Sequence, residues 1–152
     1  MKQLLISVGK KHDPLLSGAI DEFTARLNRV FPTEWLLIAP SGADEPTARR
    51  VEGASVLSKC ESNDFVVLLD ERGSQVSSEA LAAKYESWQG LNRRLVFVIG
   101  GAYGVSDELR QRADFIWSVS QEVFPHQIMR LLLVEQLYRS QTIIDGHPYH
   151  HQ

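Results

Sequence analysis

The alternation of short apolar runs with helix-like segments constrains this fold more than any other feature of the sequence. Unbroken apolar runs of five residues occur at positions 35–39, 65–69 and 95–99. Runs of this kind are typical of strands buried on both faces of a parallel sheet. The intervening segments repeat apolar residues at spacings of three and four, which predicts helices. The sequence therefore predicts an α/β fold with a parallel sheet.

Five strands and five helices are predicted in alternation. The predicted strands cover residues 2–8, 35–39, 65–70, 95–99 and 114–119. The predicted helices begin with Asp13 and Pro14, at Thr47, at Ser77 or Ser78, at Ser106, and at Pro125. Serine, threonine and aspartate favour helix starts because their side chains accept hydrogen bonds from free backbone N–H groups. Loops are predicted at residues 40–46 and 71–77.

The last predicted helix, residues 125–145, is apolar on nearly every side. Its apolar residues are Ile128, Met129, Leu131, Leu132, Leu133, Val134, Leu137, Tyr138 and Ile143. A helix of this kind needs cover on two sides. In a chain of 152 residues, the sheet can cover one side, and we expect a second copy of the chain to cover the other. The sequence thus predicts a homodimer.

Length and composition fit a single domain over residues 1–152, without a linker or an internal repeat. The apolar runs are far shorter than the about twenty residues of a membrane helix, and no signal-peptide pattern opens the chain. One cysteine, Cys60, excludes an internal disulfide and favours a cytoplasmic protein. The net charge of −3, from 16 Lys+Arg against 19 Asp+Glu, argues by itself against a nucleic-acid partner.

A glycine-rich segment, residues 100–104, directly follows one predicted strand and precedes the helix that begins at Ser106. Ligands of α/β proteins bind at the carboxyl ends of the strands, and glycine allows a ligand to approach the backbone. The spacing matches neither the dinucleotide fingerprint nor the Walker motif. The residues alone leave a nucleotide-type site and a tight turn without a ligand as alternatives.

Two further segments offer polar groups. The connector at residues 117–126 could read an adenine edge with its backbone, although a plain connector is the alternative. The C-terminal segment contains Tyr149, which can stack on a base, and His147 and His150, which have a metal-like spacing. Because only one carboxylate, Asp145, and no cysteine accompany these histidines, we expect no metal site. A frayed terminus is the alternative for this segment.

Charged residues interrupt the last helix. Glu135 and Arg139 are four residues apart, so a salt bridge along the helix is the simplest interpretation. Charges on an otherwise apolar helix are costly unless they have a partner or a role. Arg130 lies on the same helix and could reach a phosphate group.

Taken together, these segments resemble SPOUT-class methyltransferases of the RlmH type. The resemblance is carried by VFVIGGAYGVSDEL, by SVSQEVFPHQIMRLLLVEQLYRSQTII and by HPYH, and it extends over the whole chain from the opening LISVGK. That family methylates N3 of a pseudouridine in large-subunit ribosomal RNA and uses S-adenosyl-L-methionine. The resemblance implies the same activity for this chain, on the assembled ribosome.

The resemblance also implies the fold, the assembly and the cofactor site. It implies a parallel α/β domain with a C-terminal trefoil knot, an exception to the rule that chains are unknotted. It implies a homodimer with the last helix in the interface, and no metal or membrane partner. The cofactor-binding residues that it implies are Leu69, Gly100, Val119, Ser120, Gln121, Glu122, Val123 and Phe124.

The catalytic roles are hypotheses drawn from the chemistry of the reaction. The N3 proton must leave, and His150 is the first candidate for the general base, with Glu135 as the second. Arg139 could stabilise the negative charge that develops on an oxygen of the base. Tyr149 could stack on the target base once that base has left its own stack. The residues expected to contact RNA are Arg130, Tyr149, Lys10 and Lys11.

The tail departs from the family pattern, because His151 and Gln152 stand where the family has arginine or lysine. A permanent positive charge is therefore missing. Two alternatives stay open: a ribosome-binding assembly factor of the SPOUT type that is catalytically weak, and an unrelated nucleotide-binding module such as a flavodoxin-like protein. Because an acidic chain must gather its few cations locally, we expect weak binding to free RNA and dependence on the assembled ribosome.

Overall fold

Five strands and five helices alternate in a computed structural model of the chain, which describes residues 2–151. The elements are β1 (Gln3–Val8), α1 (Ser17–Val30), β2 (Thr33–Ile38), α2 (Glu45–Ser58), β3 (Phe65–Ser74), α3 (Ser78–Gln89), β4 (Leu95–Ile99), α4 (Asp107–Arg112), β5 (Phe115–Trp117) and α5 (His126–Ile144). All strand pairs are parallel, in the order β2-β1-β4-β3-β5. The predicted α/β fold with a parallel sheet is confirmed.

Helices cover both faces of the sheet, because alternate residues of a strand point to opposite sides. On one face, Leu5 and Phe97 pack in a core that includes residues of α1, α3 and α5. On the other face, Ile6 and Val98 pack in a second core with residues of α2 and α4. The central strands are therefore apolar on both sides, which explains the unbroken apolar runs.

The edge of the sheet at β3 and β5 differs from the prediction. β3 continues to Ser74, through part of the predicted 71–77 loop, and β5 is shorter than predicted. The pairing is irregular here, since both Leu69 and Ser74 pair with Trp117. Gly73 passes so close to β5 that a Cβ atom on it would lie 2.5 Å from the carbonyl oxygen of Ile116. Backbone pairing, and not burial of apolar side chains, holds this polar extension.

Two helices begin at positions other than those predicted. α1 begins at Ser17, because the Asp13 carboxylate accepts a hydrogen bond from the N–H of Leu15 (2.8 Å) and forms a separate turn first. α2 begins at Glu45, before Thr47, with a proline in its first turn. The predicted serine caps of α3 and α4 are confirmed, because each side chain accepts a hydrogen bond from a backbone N–H in the first turn.

α5 lies on the sheet in contact with α1 and α3. The side that faces the sheet contains Leu133, Val134 and Leu137, which are fully buried. Ile128 is 37% exposed, and Leu132 is only half-buried. One of the two covers predicted for this helix is therefore present within the chain, and part of its apolar surface remains open.

A buried chain of polar side chains ties α3 to the sheet. The hydroxyl of Tyr85 donates a hydrogen bond to Gln3 Oε1 (2.8 Å), and Gln3 Nε2 donates to Thr33 Oγ1 (2.9 Å). Tyr85 and Gln3 are fully buried, and burial raises the pKa of Tyr85, so the phenol remains a donor. A buried polar group without a partner is costly, so these bonds fix the position of α3.

Replacing Tyr85 with phenylalanine will leave Gln3 Oε1 without this donor. We expect Tyr85→Phe to lower the free energy of unfolding by about 1–2 kcal/mol, measured by urea denaturation. Tyr103→Phe serves as the control, because Tyr103 is 48% exposed and its hydroxyl can bond to water. Equal stability of the two variants would contradict a stabilising role for the buried bond.

Candidate active site

The glycine-rich turn lies at the carboxyl edge of the sheet, next to the ends of β3 and β5. Together these segments enclose a cavity of about 710 Å³, within the range of roughly 300–1,000 Å³ that is typical of ligand sites. Its walls come from residues 69–72, residues 99–105 and the connector that follows β5. Residues of α2, α4 and α5 complete the lining, among them Glu45, Arg110 and Met129.

The structure brings the three segments predicted for the cofactor together around this cavity. Seven of the predicted residues line it, namely Leu69, Gly100, Val119, Ser120, Glu122, Val123 and Phe124. Gln121 is not part of the lining, and its side chain is exposed. The parallel sheet explains this convergence, because it ends β3, β4 and β5 at one edge.

The glycines of residues 100–104 serve the turn itself as well as the cavity. The N–H of Gly104 donates to the carbonyl of Gly101 (3.0 Å), and Gly104 has a positive φ of 87°, which favours glycine. A Cβ atom on Gly100 would lie 2.6 Å from the side chain of Val105. The turn is therefore tight, and its backbone also forms a wall of the cavity.

An ion pair in the wall of the cavity escaped the sequence analysis. Arg110 contacts the carboxylate of Asp70, and the Asp70 side chain is only 5% exposed. The other Asp70 oxygen accepts a hydrogen bond from the N–H of Arg72 (3.0 Å). A signal was available in the sequence, because Asp70 follows the last residue of an apolar run, where side chains reach the carboxyl edge of a parallel sheet.

A second polar cluster joins α5 to the C-terminal tail. Arg139 forms an ion pair with Glu135 (2.7 Å), as the simplest interpretation of their spacing predicts. The same Glu135 oxygen accepts a hydrogen bond from the Tyr149 hydroxyl (3.2 Å), and the Arg139 guanidinium lies 4.9 Å from the centre of the Tyr149 ring. Burial and the charge of Glu135 raise the pKa of Tyr149. The tail is thus packed against the helix by specific contacts.

His150 completes this cluster, and its contacts define its tautomer. Arg139 Nη1 lies 3.0 Å from His150 Nδ1, and a guanidinium can only donate, so Nδ1 is the acceptor. The proton of neutral His150 is then on Nε2, which lies 2.8 Å from Glu79 Oε1. This bond is the main cause of the lowered pKa of Glu79. Glu79, on α3, had no signal in the sequence, because only the fold brings it to the tail.

The polar cluster and the cavity are separate within one chain. None of Glu135, Arg139, Tyr149 and His150 lines the cavity. Met129 does line it, and Arg139 follows ten residues later on the same helix, which corresponds to roughly 15 Å along the axis. The candidate catalytic groups therefore lie away from the candidate cofactor site of their own chain.

Arg130 is not a surface cation, and the expectation that it contacts RNA requires correction. The side chain is fully buried, where Nε donates to Ser7 Oγ (2.8 Å) and Nη1 donates to the Lys10 carbonyl (2.9 Å). Burial lowers the pKa of Arg130. Although α5 is apolar on nearly every side, Arg130 on this helix faces the interior of the protein. There its hydrogen bonds hold the loop that follows β1. Lys10 and Lys11 are exposed on that loop.

Two histidines, His12 and His126, lie close to Arg130. His12 Nδ1 lies 3.2 Å from Arg130 Nη1, so this nitrogen accepts a hydrogen bond. Burial, reinforced by the charge of Arg130, lowers the pKa of both His12 and His126. Both imidazoles are therefore neutral near pH 7.

Residues 2–151 contain no group of three or more His, Cys, Asp or Glu placed to hold a metal ion. Within the same range, no helix combines the length and the apolar character that a membrane span requires.

Cys60 is a free, half-buried thiol whose pKa is raised by burial. In the tail, His151 is exposed, and Gln152 lies outside the described residues.

Comparison with known proteins defines the class. A family model described as "Predicted SPOUT methyltransferase" matches residues 1–150 of this chain. A solved structure of a probable methylase family protein from Haemophilus influenzae Rd KW20 superposes with a TM-score of 0.56, over 98% of this chain and 70% of that chain. At 13% identity, this likeness concerns the fold alone. The class of protein is a SPOUT methyltransferase.

Relatives that match along their full length define the family more closely. The protein named "Ribosomal RNA large subunit methyltransferase H" from Syntrophotalea carbinolica is 41% identical over 156 residues, covering 100% of both chains. Its namesake from Methylobacillus flagellatus is 37% identical, also over 100% of both chains. The namesake from Acetivibrio thermocellus is 40% identical over 99% of both chains. This chain belongs to the RlmH family of SPOUT methyltransferases.

The burial of Arg130 leads to a prediction about stability. We expect Arg130→Ala to lower the free energy of unfolding by about 3 kcal/mol, because it removes buried hydrogen bonds and leaves a cavity. Arg50→Ala is the control, since Arg50 is exposed on α2 and its loss should cost less than about 0.5 kcal/mol. Chemical denaturation measures both, and an Arg130→Ala protein as stable as the control would contradict the buried role.

Proposed function

We propose that this protein is an S-adenosyl-L-methionine-dependent methyltransferase that acts on N3 of a pseudouridine in large-subunit ribosomal RNA, on the assembled ribosome. The observation that carries the proposal is the convergence of residues 69–72, 99–105 and the connector after β5 on one cavity. The names of the full-length relatives support ribosomal RNA as the substrate. The proposal places the protein in the cytoplasm, where ribosomes are assembled.

The residues of the cavity fit the methyl donor. Leu69, Val119 and Phe124 offer apolar surface for the faces of an adenine ring. The exposed backbone of the glycine turn offers hydrogen-bonding groups for its edge. Carboxylates also line the cavity, including Glu45 and Glu122, and negative charge suits a ligand that carries a sulfonium and an ammonium group. When bound, this ligand supplies a methyl carbon that is already activated for transfer.

We propose that the working unit is a homodimer. The catalytic candidates on α5 and the tail lie away from the cavity of their own chain, whereas the apolar surface at Ile128 and Leu132 remains partly open. A second copy packed on this surface would cover α5 on its second side. It would also allow the tail of one protomer to approach the cavity of its partner.

The proposal also includes a trefoil knot. Its support is the path of the chain after β5: the N–H of Ser118 donates to the carbonyl of Ser74 (2.9 Å), at the end of the β3 extension. The connector then runs along the ends of β3 and β4, and α5 continues between α1 and α3. A trefoil knot requires the chain to thread through a loop formed by an earlier connection, and we propose that the segment between β5 and α5 follows such a path.

The contacts of His150 suggest how the N3 proton could be removed. In the described structure, its basic nitrogen, Nδ1, accepts from Arg139 (3.0 Å). We propose that Arg139 moves to an oxygen of the target base, where it stabilises negative charge. This movement frees Nδ1 to take the N3 proton, while Glu79 holds the Nε2–H. A bound methyl donor would supply the carbon of the new N3–C bond and would leave as a neutral thioether that keeps the electron pair of the former C–S bond.

Methyl transfer from labelled S-adenosyl-L-methionine tests this function. We expect label to enter intact ribosomes much faster than free ribosomal RNA, and mass spectrometry to locate it on a pseudouridine. His150→Ala should lower the rate about 100-fold, a typical loss for a general base. His147→Ala is the matched control, because His147 lies in the same tail and is exposed. Ribosome binding without any transfer would instead favour the assembly-factor alternative.

Mixing two inactive variants tests the shared site. Val123→Trp should block the cavity without unfolding the chain, because Val123 lines the cavity and is 80% exposed. His150→Ala removes the candidate base. If each site combines the cavity of one protomer with the tail of the other, each mixed dimer has one intact site of two. The mixture will then regain about a quarter of the wild-type rate after random exchange, and about a half if all dimers are mixed. Failure to regain activity in dimers shown to have exchanged would contradict the shared site.

A further inference from the structure

A second cavity of about 440 Å³ adjoins the first one. Gly101, Ala102, Tyr103 and His126 line both cavities, so the glycine turn forms their common wall. Lys10 also lines the second cavity. Neither the predicted cofactor residues nor the catalytic cluster of α5 and the tail belongs to this space.

The second cavity contains a buried carboxylate with a free oxygen. Glu52, on α2, lines the cavity and is 7% exposed. Its Oε2 accepts a hydrogen bond from the N–H of Ser41 (3.0 Å). Its Oε1 is buried and has no hydrogen-bond partner among residues 2–151. Such an arrangement is costly, because a buried charge normally requires compensating bonds.

Other buried carboxylates of this protein show the usual compensation. Asp64 is 1% exposed, but it pairs with Arg94 (2.7 Å) and accepts from the N–H of Glu61 (2.7 Å). Asp70 has its partner in Arg110. Glu52 differs from them because its Oε1 has no such partner. This oxygen lies beside the glycine turn, since a Cβ atom on Gly101 would lie 2.5 Å from it.

We infer that the second cavity receives the target base, and that Glu52 Oε1 accepts a hydrogen bond from an imino N–H of that base. This inference rests on the proposed function. A uracil-type ring joined to its sugar through carbon has two imino groups, N1–H and N3–H, whereas uridine has only N3–H. N1 and N3 flank the C2 carbonyl of the ring, so N1–H can donate to Glu52 while N3 remains available to the methyl donor in the adjoining cavity.

The surroundings of Glu52 suit a nucleotide. Tyr103 offers a half-exposed aromatic ring at the common wall, and aromatic rings stack on flipped bases. Lys10 is exposed at the rim, where its ammonium group can contact a neighbouring phosphate. Glu52 would thus select pseudouridine, because an unpaired buried acceptor penalises a ligand that lacks the matching donor.

The test compares wild type, Glu52→Gln and Glu34→Gln on two substrates. One substrate is the large subunit or ribosome with its pseudouridines, and the other carries uridine in their place. Glu34 is the control, since its carboxylate is exposed and pairs with Lys2 on the surface. We expect wild type and Glu34→Gln to prefer the pseudouridine substrate. Glu52→Gln should reduce that preference about tenfold, because a neutral acceptor replaces a charged one.

Binding measurements separate the possible outcomes. Equilibrium binding of both substrates without the methyl donor should show the same loss of preference in Glu52→Gln. Calorimetry with S-adenosyl-L-methionine should give wild-type affinity, which also verifies that the variant is folded. A weakened affinity for the methyl donor would overturn the inference and assign Glu52 to its ammonium group. An unchanged preference would also overturn it, whereas a wild type without methyl transfer on either substrate would contradict the proposed function itself.

Discussion

The burial of Arg130 is the interaction on which the carboxyl edge of the sheet depends. Its guanidinium lies inside the protein and donates to Ser7 Oγ and to the carbonyl of Lys10. No acidic side chain among residues 2–151 forms an ion pair with it. A buried charge of this kind is tolerated only where several acceptors converge, so the start of α5 and the end of β1 have to lie together.

This constraint positions the rest of the site. With α5 held against the end of β1, the connector after β5 has to run along the ends of β3 and β4, where it closes the cavity. The same contact holds the loop that carries Lys10 and Lys11, and it places His126 in the wall shared by the two cavities. An arginine that contacts no ligand thus organises the places where ligands are proposed to bind.

The sequence predicted some parts of the site better than others. Leu69 and Gly100 were identified through the resemblance to the family. The structure places both at the carboxyl edge of the sheet, because the ends of parallel strands meet there. Glu79 and Glu52 were not predicted, because their roles arise from contacts with residues distant along the chain. Asp70 was not predicted either, although its position directly after an apolar run was a signal. Arg130 was misplaced for a related reason: the spacing of residues on a helix does not show which charged side chain turns inward.

The sequence by itself determined the alternation of strands and helices and the parallel sheet, because hydrophobic periodicity is a local property. The three segments around the cavity were implied by the resemblance that the motifs carry. The family also follows from the sequence, through its motifs. Only the tertiary structure decided that Arg130 is buried, that His150 bonds to Glu79 and Arg139, and that Glu52 keeps a free oxygen beside the glycine turn. Such contacts depend on packing between distant segments, and periodicity along the chain carries no information about them.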